Sequence, residues 1–145
     1  MEQLIESLKK VPMFGGLRPE YLEMLAKLAN VRTYKKSEVV IKQGEPGTGL
    51  FIIVTGSVAI TSKSRPGMPD LMLANMGKGE FFGDMSLIDG YSRSATVTTT
   101  AECQVLELNR WVFLDALRRE PNIAVTMLPV LVKRIRNLEE AKPGR

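Results

Sequence analysis

The sequence predicts an α+β domain in which a compact unit of short strands has helices at both ends. Residues 31–108 are short runs rich in β-branched side chains, punctuated by glycines. That texture is typical of a sandwich or jelly roll of roughly seven or eight strands. The segments before and after it space their apolar residues with a helical period. We therefore assign residues 1–30 to N-terminal helices and 109–141 to two C-terminal helices.

The N-terminal segment contains two predicted helices separated by a break. Leu4, Ile5 and Leu8 recur at helical spacing, and the stretch "VPMFGGL" then interrupts the pattern with a proline and two glycines. Pro19 suits the first position of the second helix. The apolar stripe of that helix consists of Leu22, Leu25, Ala26 and Ala29.

Seven strands are predicted in the central unit, because each run alternates or is β-branched and is bounded by turn residues. In order, the runs are "VRTY", "EVVIK", "LFIIV", "SVAIT", "LMLANM", "ATVTTT" and "CQVLEL". Cys103, the only cysteine, lies in the last of them and is expected to be inert core. No internal disulfide is possible with a single cysteine.

The C-terminal segment begins with Asn109, a plausible N-cap for the helix "RWVFLDALRRE". A last helix is predicted from Pro121 to about Glu140. Pro129 lies inside it and is expected to bend it. Two interpretations of this helix remain: it lies on its own barrel, or it forms a dimer seam. The seam would use the residues spaced 4, 3, 4 and 3 apart, Ala124, Leu128, Leu131, Ile135 and Leu138.

Composition excludes several classes of function. The length of 145 residues fits one domain, residues 1–145, and no apolar run approaches a membrane span or a secretory signal. We expect a cytoplasmic protein with no membrane partner. The chain has no histidine, which argues against a metal cofactor, an imidazole triad and hence an enzyme. Its net charge of +4 comes from dispersed basic residues, so no nucleic acid binding is expected from this chain alone.

The stretch "FFGDMSLIDGYSRSATV", residues 81–97, carries the candidate site. Gly83 allows close backbone approach, and "DMSLI" can form one helical turn whose free amides bind an anion. Arg93 would add a planar fork of donors for phosphate oxygens. A carboxylate at Asp84 beside a phosphate needs a hydroxyl to accept, and a sugar supplies one. The pattern therefore indicates a nucleotide whose phosphate lies close to its own ribose, as in a cyclic nucleotide.

At these residues the sequence resembles the cyclic-nucleotide-binding domain family, which includes catabolite activator protein and protein kinase regulatory subunits. The resemblance covers four ordered segments: "VPMFGGLRPEYLEMLAKLA", "EVVIKQGEPGTGLFIIVTGSVAI", the 81–97 stretch as the phosphate-binding cassette, and "CQVLELNRWVFLDAL". It implies a jelly-roll-like β-roll of about eight strands. It also implies a regulatory module that senses cyclic AMP, or cyclic GMP, and relays binding through the C-terminal helices to an unknown downstream effector.

The resemblance implies a role for each residue of the cassette. Asp84 would accept the ribose hydroxyl, and Arg93 with Ser94 and the small Ala95 would hold the phosphate. The backbone of Gly83, Met85 and Ser86 would complete the cradle. The expected pocket wall consists of Ile60, Ala74 and Met76 on the ribose and base side, together with Arg134.

The sequence departs from the family pattern at two residues of the expected binding site. Asp84 replaces the usual glutamate and is one methylene shorter. Leu138 stands where bacterial activators place a hydroxyl against adenine, which leaves the base open. Arg134 matches an activator arginine that reaches the pocket acid, so we predict an Arg134 to Asp84 contact. The alternative function is a domain of the same fold without ligand, acting as an interaction or dimerisation scaffold, with a homodimer through the last helix.

Overall fold

The computed structural model describes residues 1–141. Four helices lie outside the strands: α1 (Glu2–Lys9) and α2 (Pro19–Leu28) precede them, and α4 (Arg110–Arg119) and α5 (Pro121–Glu140) follow them. A 3-10 helix (Pro12–Phe14) occupies the predicted break between α1 and α2, and the four-residue α3 (Ser86–Asp89) lies within the cassette. The predicted helix positions are confirmed, except that Ala29 caps α2 rather than belonging to it.

Eight antiparallel strands form two four-stranded sheets, as the resemblance implied. One sheet has the order β1-β8-β3-β6 and the other β2-β7-β4-β5. The strands are β1 (Asn30–Tyr34), β2 (Val39–Ile41), β3 (Gly49–Thr55), β4 (Ser57–Ser62), β5 (Leu71–Gly77), β6 (Phe81–Phe82), β7 (Thr96–Thr99) and β8 (Cys103–Asn109). All seven runs predicted as strands are strands, and β6 is the additional one.

Two apolar cores hold the elements together. The larger lies between the helices and the outer face of the first sheet, with Phe14 tilted against Phe113 at a ring-centroid distance of 5.8 Å. The smaller fills the roll between the sheets, where Phe51 and Phe82 stack 5.2 Å apart. Cys103 belongs to this second core and is buried, as predicted. The phenyl pair joins β3 to β6 and so fixes the start of the cassette.

Tyr34 closes one end of the inner core. Its hydroxyl donates to the Glu107 carboxylate on the neighbouring β8, and Arg32 pairs with the other oxygen of that carboxylate at 3.6 Å. Burial, together with the hydrogen bond to Glu107 and its negative charge, raises the pKa of Tyr34 well above the usual 10.0. The phenol is therefore neutral throughout the physiological range.

The two C-terminal helices, α4 and α5, have different surroundings. The Asn109 side chain accepts hydrogen bonds from the amides of Trp111 and Val112, which confirms the predicted N-cap of α4. Helix α5 continues through Pro129 and packs against α4 and the 3-10 helix, burying Ile123 and Met127. Its outward face is apolar and exposed along Val125, Leu128, Val132, Ile135 and Leu138.

No helix within residues 1–141 is both long enough and apolar enough to cross a membrane.

Candidate ligand-binding site

A cavity of about 280 Å³ opens between the cassette and the strands β2, β4 and β7. All seven residues predicted from the cassette contribute to its wall, and so does Ile60 from β4. The complete lining is Ile41, Ile60, Phe82, Gly83, Asp84, Met85, Ser86, Ser92, Arg93, Ser94, Ala95 and Val97. The sequence stretch 81–97 thus folds back on itself around one concavity.

Gly83 lies at the most crowded point of this cavity wall. Its φ is +84°, which is the left-handed region that side chains with a Cβ rarely adopt. A Cβ there would lie 2.4 Å from the Gly49 carbonyl oxygen and 2.7 Å from Nη1 of Arg93. Glycine is therefore required both for the turn and for the close approach of the arginine.

Arg93 is a buried cation facing the cavity, with only 7% of its surface exposed. Its Nη2 donates to the Gly49 carbonyl at 2.8 Å, and its guanidinium carbon lies 5.5 Å from the centre of the Phe51 ring. Its Nε is buried and has no hydrogen-bond partner among residues 1–141. Burial lowers the pKa of Arg93 because the charged form loses water. A buried guanidinium with an unused donor is a site for an anion.

The backbone of Arg93 is held by the glycine-rich β2–β3 loop, residues 42–48. The Arg93 amide donates to the Glu45 carbonyl at 2.8 Å, and the Gly44 amide donates to the Arg93 carbonyl at 2.8 Å. Gly47 packs so closely on Ser86 that a Cβ would lie 2.5 Å from the Ser86 hydroxyl. The loop therefore fixes both the arginine and the turn that faces it.

The short helix α3 presents backbone donors on the cavity side. The amide of Leu87 donates to the Asp84 carbonyl at 3.3 Å, and Ile88 and Asp89 donate to Met85. Within the described part of the chain, the amides of Met85 and Ser86 have no acceptor. These two N–H groups are available to an anion, as the sequence predicted for this turn.

Asp84 is the acid of the cavity, and α5 reaches it. Both Nη atoms of Arg134 lie 3.3 Å from Oδ2 of Asp84. The Asp84 side chain is 16% exposed and the Arg134 side chain 36%. The predicted contact between these residues is confirmed, and it links the cassette to the last helix.

Three predicted wall residues are not among the lining residues of this cavity, and of these Arg134 reaches it only through its contact with Asp84. Ala74 and Met76 are on β5, which is an edge strand paired with β4, and Ala74 lies opposite Ile60 in that pairing. Ala74 is exposed, whereas Met76 packs against the inner core. Neither lines the cavity, because the strand between them and the cassette supplies Ile60 instead.

The sequence analysis did not identify the β2–β3 loop or Ile41 as parts of the site, and it assigned no individual role to Phe82, Ser92 and Val97 within the cassette. A signal for the loop was present in "QGEPGTG", which has three glycines in seven residues. Two of them, Gly47 and Gly49, approach the backbone or side chains of distant segments too closely for a Cβ. Spacing alone did not reveal which segments those were.

A larger cavity, of about 940 Å³, lies beside the β4–β5 connection. It is lined by charges of both signs, and two of them, Lys63 and Asp70, already lie 3.9 Å apart. Its polar groups therefore do not converge on a ligand of one charge, in contrast to the cassette cavity. Within residues 1–141 no cluster of three or more potential metal ligands occurs.

The fold and the site together define a β-roll whose cavity contains a buried arginine, two open amides and one acid. The model of the cyclic nucleotide-binding domain family matches residues 31–120. The chain belongs to this family.

Similar proteins include regulators and channels. The cyclic AMP receptor protein of Thermus thermophilus is 31% identical over 132 residues, which are 91% of this chain and 61% of the relative. A cyclic nucleotide-gated potassium channel of Mesorhizobium japonicum is 33% identical over 79% of this chain and 30% of the channel. The N-terminal domain of a Streptomyces coelicolor transcriptional regulator superposes with a TM-score of 0.85 at 27% identity, covering 96% of this chain and 99% of that domain. The chain thus spans about three fifths or less of the two curated relatives.

Proposed function

We propose that this chain is a non-catalytic regulatory module that binds cyclic AMP, with cyclic GMP as the alternative nucleotide. In this proposal Arg93 and Ser94 hold the cyclic phosphate, aided by the amides of Met85 and Ser86. Asp84 accepts the ribose 2'-hydroxyl. The cytoplasm, where cyclic nucleotides signal, is the proposed location.

The observation that carries this proposal is the unused Nε donor of Arg93 in a cavity of about 280 Å³. A buried guanidinium loses hydration, and a cyclic phosphate would replace it with charge-assisted hydrogen bonds of about 1.5–3 kcal/mol each. The Met85 and Ser86 amides add two neutral donors on the same wall. The only acid of the wall, Asp84, is engaged at Oδ2 by Arg134. The other oxygen of Asp84, Oδ1, accepts no hydrogen bond from the described residues 1–141 and suits a hydroxyl donor.

The contact between Asp84 and Arg134 supports a relay to the last helix. Arg134 is in α5, fifty residues beyond the cassette acid with which it pairs. A ribose hydroxyl at Asp84 would alter the partners of this carboxylate and therefore the position of lowest energy for α5. The ligand shifts the helix only as far as it binds one arrangement better than the other. A downstream effector that senses α5 is proposed as the recipient.

Other residues than those that bind the phosphate and the ribose would determine which base is bound. Ser94 follows the arginine and can serve an adenine or a guanine nucleotide, while Leu138 offers no hydrogen bond to either base. Because Asp84 is shorter than glutamate, binding is expected to be weaker than with a full-length acid. Loss of one charge-assisted hydrogen bond corresponds to roughly a tenfold to hundredfold change in affinity.

A second candidate function is that of a scaffold that dimerises without ligand. Its supporting observation is the exposed apolar face of α5, where Leu128 and Ile135 are each 57% exposed and Leu138 is 64% exposed. Such a face is typical of a helix that pairs with another. The two candidates are compatible if a ligand controls a homodimer formed through α5.

Isothermal titration with cyclic AMP and with cyclic GMP tests the proposal. Arg93→Ala is expected to weaken binding on the order of a hundredfold or more, because at least two charge-assisted bonds are lost. Arg136→Ala removes an equal charge from the exposed side of α5 and should leave the affinity unchanged. Asp84→Ala should cost roughly tenfold to a hundredfold through the ribose hydroxyl.

The result against nucleotide binding would be no heat and no thermal shift with either nucleotide at millimolar concentration. Size-exclusion chromatography with and without ligand then separates the candidates. A scaffold alone elutes as the same oligomer in both conditions, whereas a ligand-controlled module changes its elution volume or its stability.

A further inference from the structure

A second cleft, of about 380 Å³, lies between the 3-10 helix and α5. It shares no lining residue with the cassette cavity. Its wall consists of Pro12, Met13, Val130, Leu131, Lys133, Arg134, Asn137 and Leu138. The volume falls within the range of sites that bind small molecules, about 300–1,000 Å³.

The floor of this cleft is apolar. Met13 is 1% exposed and belongs to the larger core, and Leu131 packs against that core. Pro12 and Leu138 form the opposite sides at the mouth, with Leu138 64% exposed. An alkyl chain lying along this floor would be removed from water, and each methylene that it buries would favour binding. Such a surface offers little to a ligand that is polar throughout.

The rim of the cleft is cationic. Lys133 is exposed and forms no ion pair within the described residues 1–141. Arg134 uses its two terminal nitrogens on a single oxygen of Asp84, at 3.3 Å. The lining residues include no carboxylate, and the Asp84 carboxylate behind Arg134 is already paired with that arginine. An apolar floor below the unpaired Lys133, next to an Arg134 whose charge is balanced by Asp84, suits a molecule with an apolar body and one negative end.

We propose that the cleft between the 3-10 helix and α5 binds an amphipathic anion, an unbranched alkyl chain with one carboxylate, as in a medium-chain fatty acid. The alkyl chain lies on Met13 and Leu131. The carboxylate pairs with Lys133 at the rim. This site shares no lining residue with the nucleotide cavity, to which it is joined through the Arg134–Asp84 pair, and the proposal does not require that the cassette binds a nucleotide.

Octanoate, used below its micelle concentration, is the probe. Isothermal titration should give saturable binding of one octanoate per chain. Lys133→Glu should weaken it roughly threefold to tenfold, because one attraction is replaced by a repulsion at an exposed position. Arg136→Glu is the matched control, since it changes the net charge by the same amount on the same helix but outside the cleft. Its affinity for octanoate should stay within about twofold of the unchanged chain.

Methionine methyl spectra locate the bound chain. With all eight methionines labelled, octanoate should shift the Met13 resonance, whereas Met24, which lies on α2 outside the cleft, should not move. The Met13→Leu variant identifies the Met13 signal. Octylamine has the same alkyl chain with a positive end, and it should bind more weakly than octanoate.

The proposal is overturned if octanoate shows no saturable binding, if Lys133→Glu and Arg136→Glu weaken binding equally, or if octylamine binds as tightly. A shift of Met24 without Met13 would also contradict it. Arg93→Ala separates this result from the nucleotide proposal. That variant should lose cyclic AMP binding and keep octanoate binding, so either site can fail without the other.

Discussion

Replacing Gly83 with alanine tests how the cassette holds its arginine. The substitution places a Cβ at a backbone φ of +84°, which costs a residue with a side chain about 1–2 kcal/mol. The same Cβ would lie 2.4 Å from the Gly49 oxygen and 2.7 Å from Nη1 of Arg93. Relieving an overlap of this kind in a packed region costs about 1–3 kcal/mol. The expected loss in the free energy of unfolding is therefore about 2–5 kcal/mol.

Gly79→Ala is the matched control for this substitution. Gly79 has nearly the same φ, +87°, but a Cβ there would meet nothing within 4 Å. The Gly79→Ala variant should therefore lose only the part of the free energy of unfolding that comes from the unfavourable backbone conformation, about 1–2 kcal/mol. The difference between the two variants isolates the crowding between Gly83, Gly49 and Arg93.

Urea denaturation followed by circular dichroism gives both free energies, with the slope m as a check on two-state behaviour. A loss of 2–5 kcal/mol corresponds to a fall in melting temperature of roughly 6–15 °C for a chain of this size. Equal losses at Gly83 and Gly79 would refute the reasoning, because they would mean that the close approach of Arg93 does not constrain the turn. Affinity for cyclic AMP should fall in the Gly83 variant alone.

Two further predictions concern stability away from the site. The free energy of unfolding should fall as the pH rises above about 10, by up to about 1.4 kcal/mol per pH unit from Tyr34. The sign follows because burial beside Glu107 raises the folded pKa of this phenol above its usual 10.0, so the unfolded chain ionises first. Tyr34→Phe should remove this part of the alkaline loss, and an unchanged slope in the variant would contradict the assignment. Asn109→Ala should cost about 1 kcal/mol in urea denaturation, since the amides of Trp111 and Val112 lose their acceptor. Asn109→Ser keeps an oxygen at the cap and should recover most of that loss, so equal stability of the two variants would argue against capping.

Much of the fold was predictable because local patterns agree with the final environment. The β-branched run of β3 and the alternating run of β8 are paired, largely buried strands, and Asn109 is the cap that its position suggested. Strand β6 was missed because Phe81–Phe82 is only two residues long, and no period can be recognised in so short a run. Its pairing with β3 is a tertiary effect.

The residues that face the cavity were predictable from the sequence, whereas the residues that hold them in place were less so. Arg93 and the 81–97 cassette stood out because a cation and an acid flank a glycine turn, and the contact of Arg134 with Asp84 followed from the family resemblance. The backbone hydrogen bonds that Gly44 and Glu45 make with Arg93 were not predictable from the sequence or from the family resemblance. These residues are nearly fifty positions apart from Arg93, and a single sequence does not state which distant segments meet.

The β2–β3 loop, residues 42–48, should therefore tolerate insertions and deletions less well than most surface loops do. Surface connections normally accept insertions and deletions. Here one added residue would move the Gly44 and Glu45 backbone groups out of line with Arg93, and Gly47 away from Ser86. In the β4–β5 connection, Lys63 exchanges two hydrogen bonds with the Gln43 side chain of the β2–β3 loop, whereas the exposed residues 64–70 make no hydrogen bond to that loop or to the cassette among the described residues. Tags, fluorescent reporters or crosslinking handles are best inserted there, where the cassette arginine does not depend on the length of the chain.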